Sequence, residues 1–242
     1  MNEIKALAER IKAANKVVVF TGAGVSAASG VPTFRDPGGL WDKYRPEDLA
    51  NESAFRKDPS LVWSWYQWRK KLILNCEPNG AHIALAALER DTKDFLLVTQ
   101  NVDGLHQRAG SSKIRCLHGD IFINKCLDCG DLSNSNFVEF EEPVTCNKCG
   151  SFYRPGVVWF GESLDAGVLR ESWLAAERCD LFFSVGTAAS VQPAASLISV
   201  AKASGAFVVE VNPNGSYAST GVDMIIKRPA EEFFPDLLVA FG

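Results

Sequence analysis

Four of the seven cysteines form two Cys-x-x-Cys pairs that are separated by sixteen residues. The pairs are Cys126 with Cys129 and Cys146 with Cys149. Two pairs at this spacing predict one tetrahedral zinc ion per chain, held by four thiolates. A site with four protein ligands leaves no position for water or substrate. The predicted zinc is therefore structural, and metallohydrolase chemistry is disfavoured.

Zinc ribbons often bind nucleic acid, but the charge of this segment argues against that function. Residues 119–155 contain six acidic and three basic side chains, and the whole chain carries a net charge of -4. A surface with this balance repels phosphates. We expect no direct binding to nucleic acid.

A glycine-rich turn follows the first strongly apolar run of the chain. Residues 16–20 (KVVVF) lead into Gly22, Gly24 and Ala27, which fit the G-x-G-x-x-G/A fingerprint of dinucleotide sites. In that motif the pyrophosphate lies at the N-terminus of the helix that the glycines open. The alternative is a glycine-rich turn that binds nothing. No G-x4-G-K-[ST] loop is present, which disfavours ordinary ATP or GTP hydrolysis.

The rest of the usual dinucleotide pattern is missing. An acidic residue at the end of a second strand should hold the ribose about 20 positions later. Residues 31–39 (VPTFRDPGG) cannot form a central strand. Asn212, which follows another apolar run, is a candidate to hold the ribose instead. A loop carrying Phe34 and Arg35 suggests chemistry on the dinucleotide itself, beyond hydride exchange.

The three histidines differ in their surroundings. His82 lies in a helical run and is predicted to pack in the core, whereas His106 could be catalytic or belong to a helix face. His118 follows a short predicted strand, residues 114–117, at the sheet edge where open α/β folds bind ligands. Gln100, Asn101 and Asp103 follow the strand at 95–99 and reach the same edge. His118 is a candidate general base, and a structural role is the alternative.

Strand and helix patterns alternate along most of the chain, which predicts an α/β domain with a parallel sheet. The predicted strands are residues 16–20, 95–99, 114–117, 181–185 and 207–211, and the predicted helices are residues 3–14, 80–90, 165–178 and 194–204. Two stretches rich in proline, glycine or cysteine break the alternation. We assign 1–35, 76–118 and 156–242 to the large domain. The helical insertion 36–75 and the zinc-ribbon insertion 119–155 form a smaller one.

Composition sets the class of protein and its expected location. The chain has 242 residues, of which 47% are apolar and 22% charged, as in globular domains. No apolar run approaches the length that a membrane span needs. The N-terminal amphipathic helix resembles neither a signal nor a transit peptide. We expect a cytoplasmic protein without membrane partners.

Taken together, these motifs make the chain similar to the sirtuins, a family of NAD-dependent protein-lysine deacylases. The resemblance covers nearly the whole chain, with the motifs in the order and spacing of the family. The motifs are GAGVSAASGVPTFR (22–35), TQNVDGLH (99–106), His118-Gly119, the two cysteine pairs, RPGVVWFGE (154–162), GTAASVQPAA (186–195) and VEVN (209–212).

The resemblance implies a Rossmann-type domain and a small zinc domain, with NAD and acyl-lysine meeting between them. His118 would be the catalytic base and Asn101 a second catalytic residue, and NAD would be consumed to give nicotinamide and O-acyl-ADP-ribose. An acyl-lysine protein or peptide would add as a strand along Val158–Glu162, touching Val158, Phe160 and Gly161. The implied NAD contacts are Gly22, Ala23, Gly24, Ser26, Phe34, Arg35, Gln100, Asn101, Asp103, Gly186, Thr187, Asn212 and Ala230.

One predicted helix, beginning after Asp58, carries an arginine on an apolar stripe. Val62, Tyr66, Arg69 and Ile73 lie at helical spacing. From the residues alone, Arg69 either binds an anion, pairs internally or reaches solvent. Tyr66-x-x-Arg69 resembles the signature of sirtuins that remove malonyl, succinyl or glutaryl groups, whose terminal carboxylates a guanidinium grips in bidentate fashion.

The sequence therefore predicts a desuccinylase or demalonylase with weaker deacetylase activity. Two alternatives use the same NAD site. One is a mono-ADP-ribosyltransferase, which differs only in the acceptor. The other is a non-catalytic NAD-sensing module, against which the presence of both His118 and Asn101 argues.

Overall fold

A six-stranded parallel sheet forms the centre of the larger domain. The computed structural model of the chain describes residues 2–32, 46–134 and 139–242. The strands are β1 (Val17–Thr21), β2 (Phe95–Thr99), β3 (Ile114–Cys116), β7 (Leu181–Val185), β8 (Phe207–Val211) and β9 (Met224–Ile226), in the order β3-β2-β1-β7-β8-β9. All five predicted strands are confirmed within one or two residues, and β9 is added to them.

Helices cover both faces of this sheet, as a continuous apolar strand requires. On β1, Val17 and Val19 point into one core cluster, while Val18 and Phe20 point into the other. The first cluster contains helices α1 (Asn2–Ala13), α5 (Gly80–Asp91) and α9 (Ala230–Phe241). The second contains α7 (Ala166–Arg178) and α8 (Ser196–Ala203). The α/β prediction, with its four helices, is confirmed.

The strand order reverses between β1 and β7. From β1 the chain builds β2 and β3 on one side, and then crosses to build β7, β8 and β9 on the other. This is the Rossmann arrangement, in which ligands bind outside the carboxyl ends of the strands at the reversal point. The turn after β1 differs from the sequence expectation in one respect. Its helix, Ala23–Ser29, is a 3-10 helix and not an α-helix.

A second, smaller domain combines helices with an antiparallel sheet. The sheet has the order β5-β4-β6, from β4 (Gly119–Cys126), β5 (Leu132–Ser133) and β6 (Tyr153–Val157). Helices α2 (Pro46–Leu49), α3 (Glu52–Lys57) and α4 (Pro59–Leu74) precede it in sequence, and α6 (Leu105–Arg108) lies between β2 and β3. β6 extends two residues beyond the boundary assigned at residue 155. Within the described ranges, no helix is long and apolar enough to cross a membrane.

The link from the large sheet to the small one is very short. β3 ends at Cys116 and β4 begins at Gly119, so only Leu117 and His118 lie between them. Gly119 has a φ of +83°, and a Cβ there would lie 2.1 Å from the carbonyl oxygen of Gly156. Only glycine fits this position.

Two backbone segments touch at the reversal point of the large sheet. The N–H of Gly24 donates to the carbonyl of Gly186 over 2.8 Å. A Cβ on Gly24 would lie 2.7 Å from that oxygen. Gly186 itself has a φ of +56°, and a Cβ there would lie 2.5 Å from the nitrogen of Val25. Side chains on either glycine would push the two loops apart.

We expect Gly186→Ala to destabilise the protein more than Gly205→Ala. Gly205 also has a positive φ (+93°), but nothing lies within 4 Å of a Cβ placed there. The control substitution should lower the free energy of unfolding by about 1–2 kcal/mol, the cost of the left-handed backbone alone. Crowding at Gly186 should add about 1–3 kcal/mol. Urea unfolding of both variants measures the difference, and equal losses would mean that the loops separate without cost.

Candidate functional site: a polar crevice at the sheet edge

We call the space outside the carboxyl ends of β1, β2 and β7 the crevice. The Ser26 hydroxyl is the centre of a buried hydrogen-bond network beside it. It donates to Asp103 Oδ2 over 2.8 Å and accepts from Asn101 Nδ2 over 3.0 Å. His82 Nε2 lies 3.4 Å away. Because His82 Nδ1 accepts the backbone N–H of Asn79 (3.2 Å), its Nε2 carries the proton and faces Ser26 as a donor. The hydroxyl thus uses its one donor and both of its acceptor positions.

Asp103 is held in a poorly solvated position by this network. Burial raises the pKa of its carboxyl, while bonds from the Leu105 backbone and from Ser26 act in the opposite direction. Burial lowers the pKa of His82 to about 4, so this ring is neutral. The predicted packing of His82 in the interior is confirmed, and it also takes part in the polar network.

A second buried chain of hydrogen bonds fixes the ends of β1 and β2. Thr21 Oγ1 donates to Thr99 Oγ1 over 2.8 Å, and Thr99 also accepts the N–H of Asn101 over 3.0 Å. His106 Nε2 lies 3.1 Å from Thr21 Oγ1 and must donate to it. Burial, with a smaller contribution from His82, holds the pKa of His106 well below its usual range. His106 is therefore a buried neutral ring that supports the strand ends.

His118 has a different environment. Its Nδ1 lies 3.1 Å from the carbonyl oxygen of Gln100, which can only accept. The proton is therefore on Nδ1, and Nε2 keeps a free lone pair, as a general base needs. Burial lowers the pKa of His118, opposed by its bond to the Gln100 backbone. The side chain is half-buried at the sheet edge.

The loops on both sides of the reversal point are bonded to one another. Gln100 Nε2 donates to Thr187 Oγ1 over 2.9 Å, and Asn212 Nδ2 donates to the Thr187 carbonyl over 3.0 Å. The structure thus brings together most of the predicted NAD-contacting residues at one edge: Gly22, Ala23, Gly24, Ser26, Gln100, Asn101, Asp103, Gly186, Thr187 and Asn212. Ala230 opens α9 and is buried in the core. Phe34 and Arg35 lie outside the described residues.

The apolar members of the predicted stripe on α4 pack in the core of the small domain. Val62, Tyr66 and Ile73 are buried in one cluster with Trp159, whose Nε1 donates to the Tyr66 hydroxyl over 2.9 Å. Burial raises the pKa of Tyr66 to about 12, with Arg69 opposing. Burial lowers the pKa of Arg69, while Tyr66 and Asp103 raise it. Arg69 therefore lies close enough to both groups to interact with them electrostatically.

The segment Val158–Glu162 corrects one expectation. The resemblance implies a strand here, but β6 ends at Val157 and Phe160 and Gly161 form a turn, with a φ of +89° at Gly161. The N–H of Val158 donates to the His118 carbonyl over 2.9 Å, and the N–H of Phe160 donates to Ala50 over 2.9 Å. These backbone hydrogen bonds to His118 and Ala50 hold the segment in a turn in place of a longer β6. The Phe160 side chain is 47% exposed.

The four paired cysteines come together as a metal site. Their sulfur atoms all lie within 4.8 Å of one another, with 3.4 Å between Cys126 and Cys149 and 3.8 Å between Cys129 and Cys146. A tetrahedron with Zn–S bonds of about 2.3 Å has edges of about 3.8 Å. Burial opposes ionisation of Cys146, but the N–H groups of Lys148 and Cys149 and the side chains of Tyr153 and Cys126 together lower its pKa to about 6. The donor set and its dimensions fit zinc.

The sequence did not predict the residues whose hydrogen bonds hold the loops beside the crevice in place. Asn79 caps α5 and its amide also donates to the Val25 carbonyl over 2.9 Å and to Ser29 Oγ over 3.0 Å. The Asn79-Gly80 pair before a helical run signals an N-cap. Its partners, about fifty positions earlier, leave no sequence signal. The same holds for the contacts of Thr21 with Thr99 and His106.

Comparison with known proteins agrees with this geometry. Residues 22–193 match the model of the Sir2 family. NAD-dependent protein deacylase 1 of Pseudomonas aeruginosa is 47% identical over 244 residues, covering 97% of this chain and 98% of that protein. The NAD-dependent protein deacylase of Leptospira interrogans is 48% identical over 225 residues, 92% of each chain. The chain belongs to the Sir2 family, the sirtuins.

Solved structures show the same fold. A crystal structure of a Sir2 homologue–NAD complex superposes with a TM-score of 0.93 at 44% identity, covering 98% of this chain and 93% of the other. A Sir2 complex with deacetylated p53 peptide and 3'-O-acetyl ADP-ribose superposes with a TM-score of 0.86 at 30% identity, covering 98% and 97%.

We expect Cys146→Ser to release zinc and destabilise the protein, because the free energy of zinc binding is part of the free energy of folding. The wild type should contain about one zinc per chain. Cys179→Ser is the matched control, since Cys179 is also buried but lies outside the cluster and donates to the Ala176 carbonyl. Elemental analysis and thermal melting measure both effects. Folded, active wild-type protein free of zinc would contradict the assignment.

Proposed function

We propose that the chain is an NAD-dependent protein-lysine deacylase that prefers acyl groups ending in a carboxylate, succinyl and malonyl above all, with weaker deacetylase activity. The relatives named NAD-dependent protein deacylase support the general activity. One observation carries the preference. The Arg69 guanidinium lies close enough to Tyr66 and to the buried carboxyl of Asp103 to interact with both.

The charge of Arg69 favours an anionic ligand in this place. Arginine remains protonated even when burial lowers its pKa. A carboxylate can accept two parallel bonds from the guanidinium, and the Tyr66 hydroxyl, which already accepts from Trp159, keeps its own proton to donate. A methyl group, as in acetyl-lysine, makes none of these bonds. The acidic acyl chain should therefore bind more tightly.

The crevice residues suit the dinucleotide part of the reaction. Gly22, Gly24 and Gly186 let the loops after β1 and β7 meet directly at the reversal point, where a Rossmann fold binds its pyrophosphate. When bound, NAD supplies an anomeric carbon that the acyl oxygen attacks and a nicotinamide that leaves. Asn101 and Asp103 are fixed through Ser26 beside that position.

His118 is proposed as the base. Its free Nε2 would take the proton of a ribose hydroxyl, which then attacks the activated acyl carbon. Water would then add to that carbon and lysine would leave, so that the products are free lysine, nicotinamide and O-acyl-ADP-ribose. The acyl-lysine peptide is proposed to lie along Val158, Phe160 and Gly161, next to this histidine.

We expect His118→Ala to reduce deacylation by about 10²–10⁴-fold, the usual loss when a general base is removed. Exchange of labelled nicotinamide into NAD should fall less, because it precedes the proton transfer. In the wild type, kcat should hold below pH 6.5 before it declines, since burial keeps the ring unprotonated there. Near-normal turnover by the variant would place the base elsewhere.

We expect Arg69→Met to raise KM for a succinyl-lysine peptide by about 10- to 150-fold, corresponding to one charge-assisted bond of about 1.5–3 kcal/mol. KM for the acetyl peptide should change little. If Arg69 only stabilises the helix, activity on both peptides and the melting temperature should fall together. The two kcat/KM values and a melting curve decide between these outcomes, and mass spectrometry of the products separates deacylation from ADP-ribosyl transfer.

A further inference from the structure

Helix α4, which carries Tyr66 and Arg69, also bonds to the zinc-bearing part of the small domain through Ser60, Trp63 and Lys70. Lys70 Nζ donates to Asn124 Oδ1 over 2.9 Å. About two turns earlier, Trp63 Nε1 donates to the carbonyl of Phe140 over 2.9 Å. At the start of the helix, Ser60 donates to Glu142. The helix is therefore joined to the zinc-bearing module at three points along its length.

These links differ in burial, and burial decides which of them holds the helix. Ser60 and Glu142 are exposed, as is the neighbouring ion pair of Arg56 with Asp128. Exposed pairs are screened by water and contribute little. Lys70 and Asn124 are both 0% exposed. An ammonium group without water must keep its acceptor, so this bond fixes the position of its helix turn.

Asn124 is a firm anchor for that bond. It lies at the centre of the antiparallel sheet, opposite Ser133 of β5 and Pro155 of β6, and two residues before the zinc ligand Cys126. Lys70 directly follows Arg69 in sequence, on the same helical turn. Burial lowers the pKa of Lys70 to about 8, with Asp120 opposing, so the cost of placing a lysine here is evident. A hydrophobic residue would avoid that cost.

We propose that Lys70 is a positioning residue for the acyl-carboxylate subsite, because its buried bond to Asn124 connects the zinc-bearing sheet to the helix turn that carries Tyr66 and Arg69. The inference rests on the proposed function, since it assigns a support to the residues that would recognise the carboxylate. It predicts that acyl preference depends on a contact that touches no substrate.

The test is the variant Lys70→Met, which keeps an apolar stem of similar length and removes the donor. We expect KM for the succinyl peptide to rise about 10-fold while KM for the acetyl peptide changes less than about 2-fold, because a shifted guanidinium weakens one charge-assisted bond only. Lys71→Met is the matched control: the adjacent lysine is exposed and should leave both KM values unchanged. Zinc content and melting temperature are measured on every variant.

A second variant keeps the test decisive if Lys70→Met fails to fold. Asn124→Asp retains an acceptor for the ammonium and should keep the wild-type ratio of succinyl to acetyl kcat/KM. Asn124→Leu removes the acceptor and should lower that ratio about 10-fold. Equal ratios in the two Asn124 variants would overturn the proposal, as would a Lys70→Met enzyme that loses stability or zinc but keeps the ratio.

Failure of the proposed function would look different. If wild type and Arg69→Met treat the two peptides alike, no carboxylate subsite exists and both proposals fall. If Arg69→Met removes the preference but Lys70→Met and Asn124→Leu do not, the function stands and only the positioning role of Lys70 is wrong.

Discussion

The crevice depends on one contact between two loops that have no side chains where they meet. Gly24 and Gly186 approach closely enough for a direct backbone hydrogen bond at the point where the strand order reverses. Any Cβ there would separate the β1 loop from the β7 loop. Because Thr187 follows Gly186 and bonds to Gln100, the same contact sets the distance between the two halves of the crevice. The acid, amide and imidazole groups can then converge on one edge.

The buried polar groups at this edge form hydrogen-bond networks. The positions of their protons follow from which atoms can donate and which can only accept. Ser26 has one proton to give, and Asp103 takes it. Thr21 likewise gives its proton to Thr99, which leaves His106 as a donor. Buried polar groups cost stability unless they are paired, so such networks admit few alternative arrangements. Three histidines in one region thus have three different roles, and only the ring of His118 combines partial exposure with a free nitrogen.

Much of the fold could be predicted because buried parallel strands are plain in sequence. The runs at 95–99, 181–185 and 207–211 became β2, β7 and β8 with unchanged bounds. The spacing of the four cysteines likewise predicted the metal site. Other features had no local pattern. The glycine fingerprint predicts that a helix follows β1 but not which kind, so the 3-10 form of Ala23–Ser29 was not predictable. The turn at Phe160 and Gly161 is held by backbone hydrogen bonds to His118 and Ala50, which lie far away in the sequence. The Asn79 contacts are set by tertiary packing alone.

The two-residue link between the sheets has a consequence for how the enzyme tolerates motion. His118 occupies that link, and its own carbonyl accepts the N–H of Val158. The residue proposed as the base and the segment proposed to bind the peptide are therefore joined by a backbone hydrogen bond at this link. A rotation of one domain relative to the other about this link would change the width of the cleft. It would leave the distance between His118 and the segment that begins at Val158 unchanged. An acyl-lysine bound along that segment would then keep its position relative to the proposed base, however wide the cleft is.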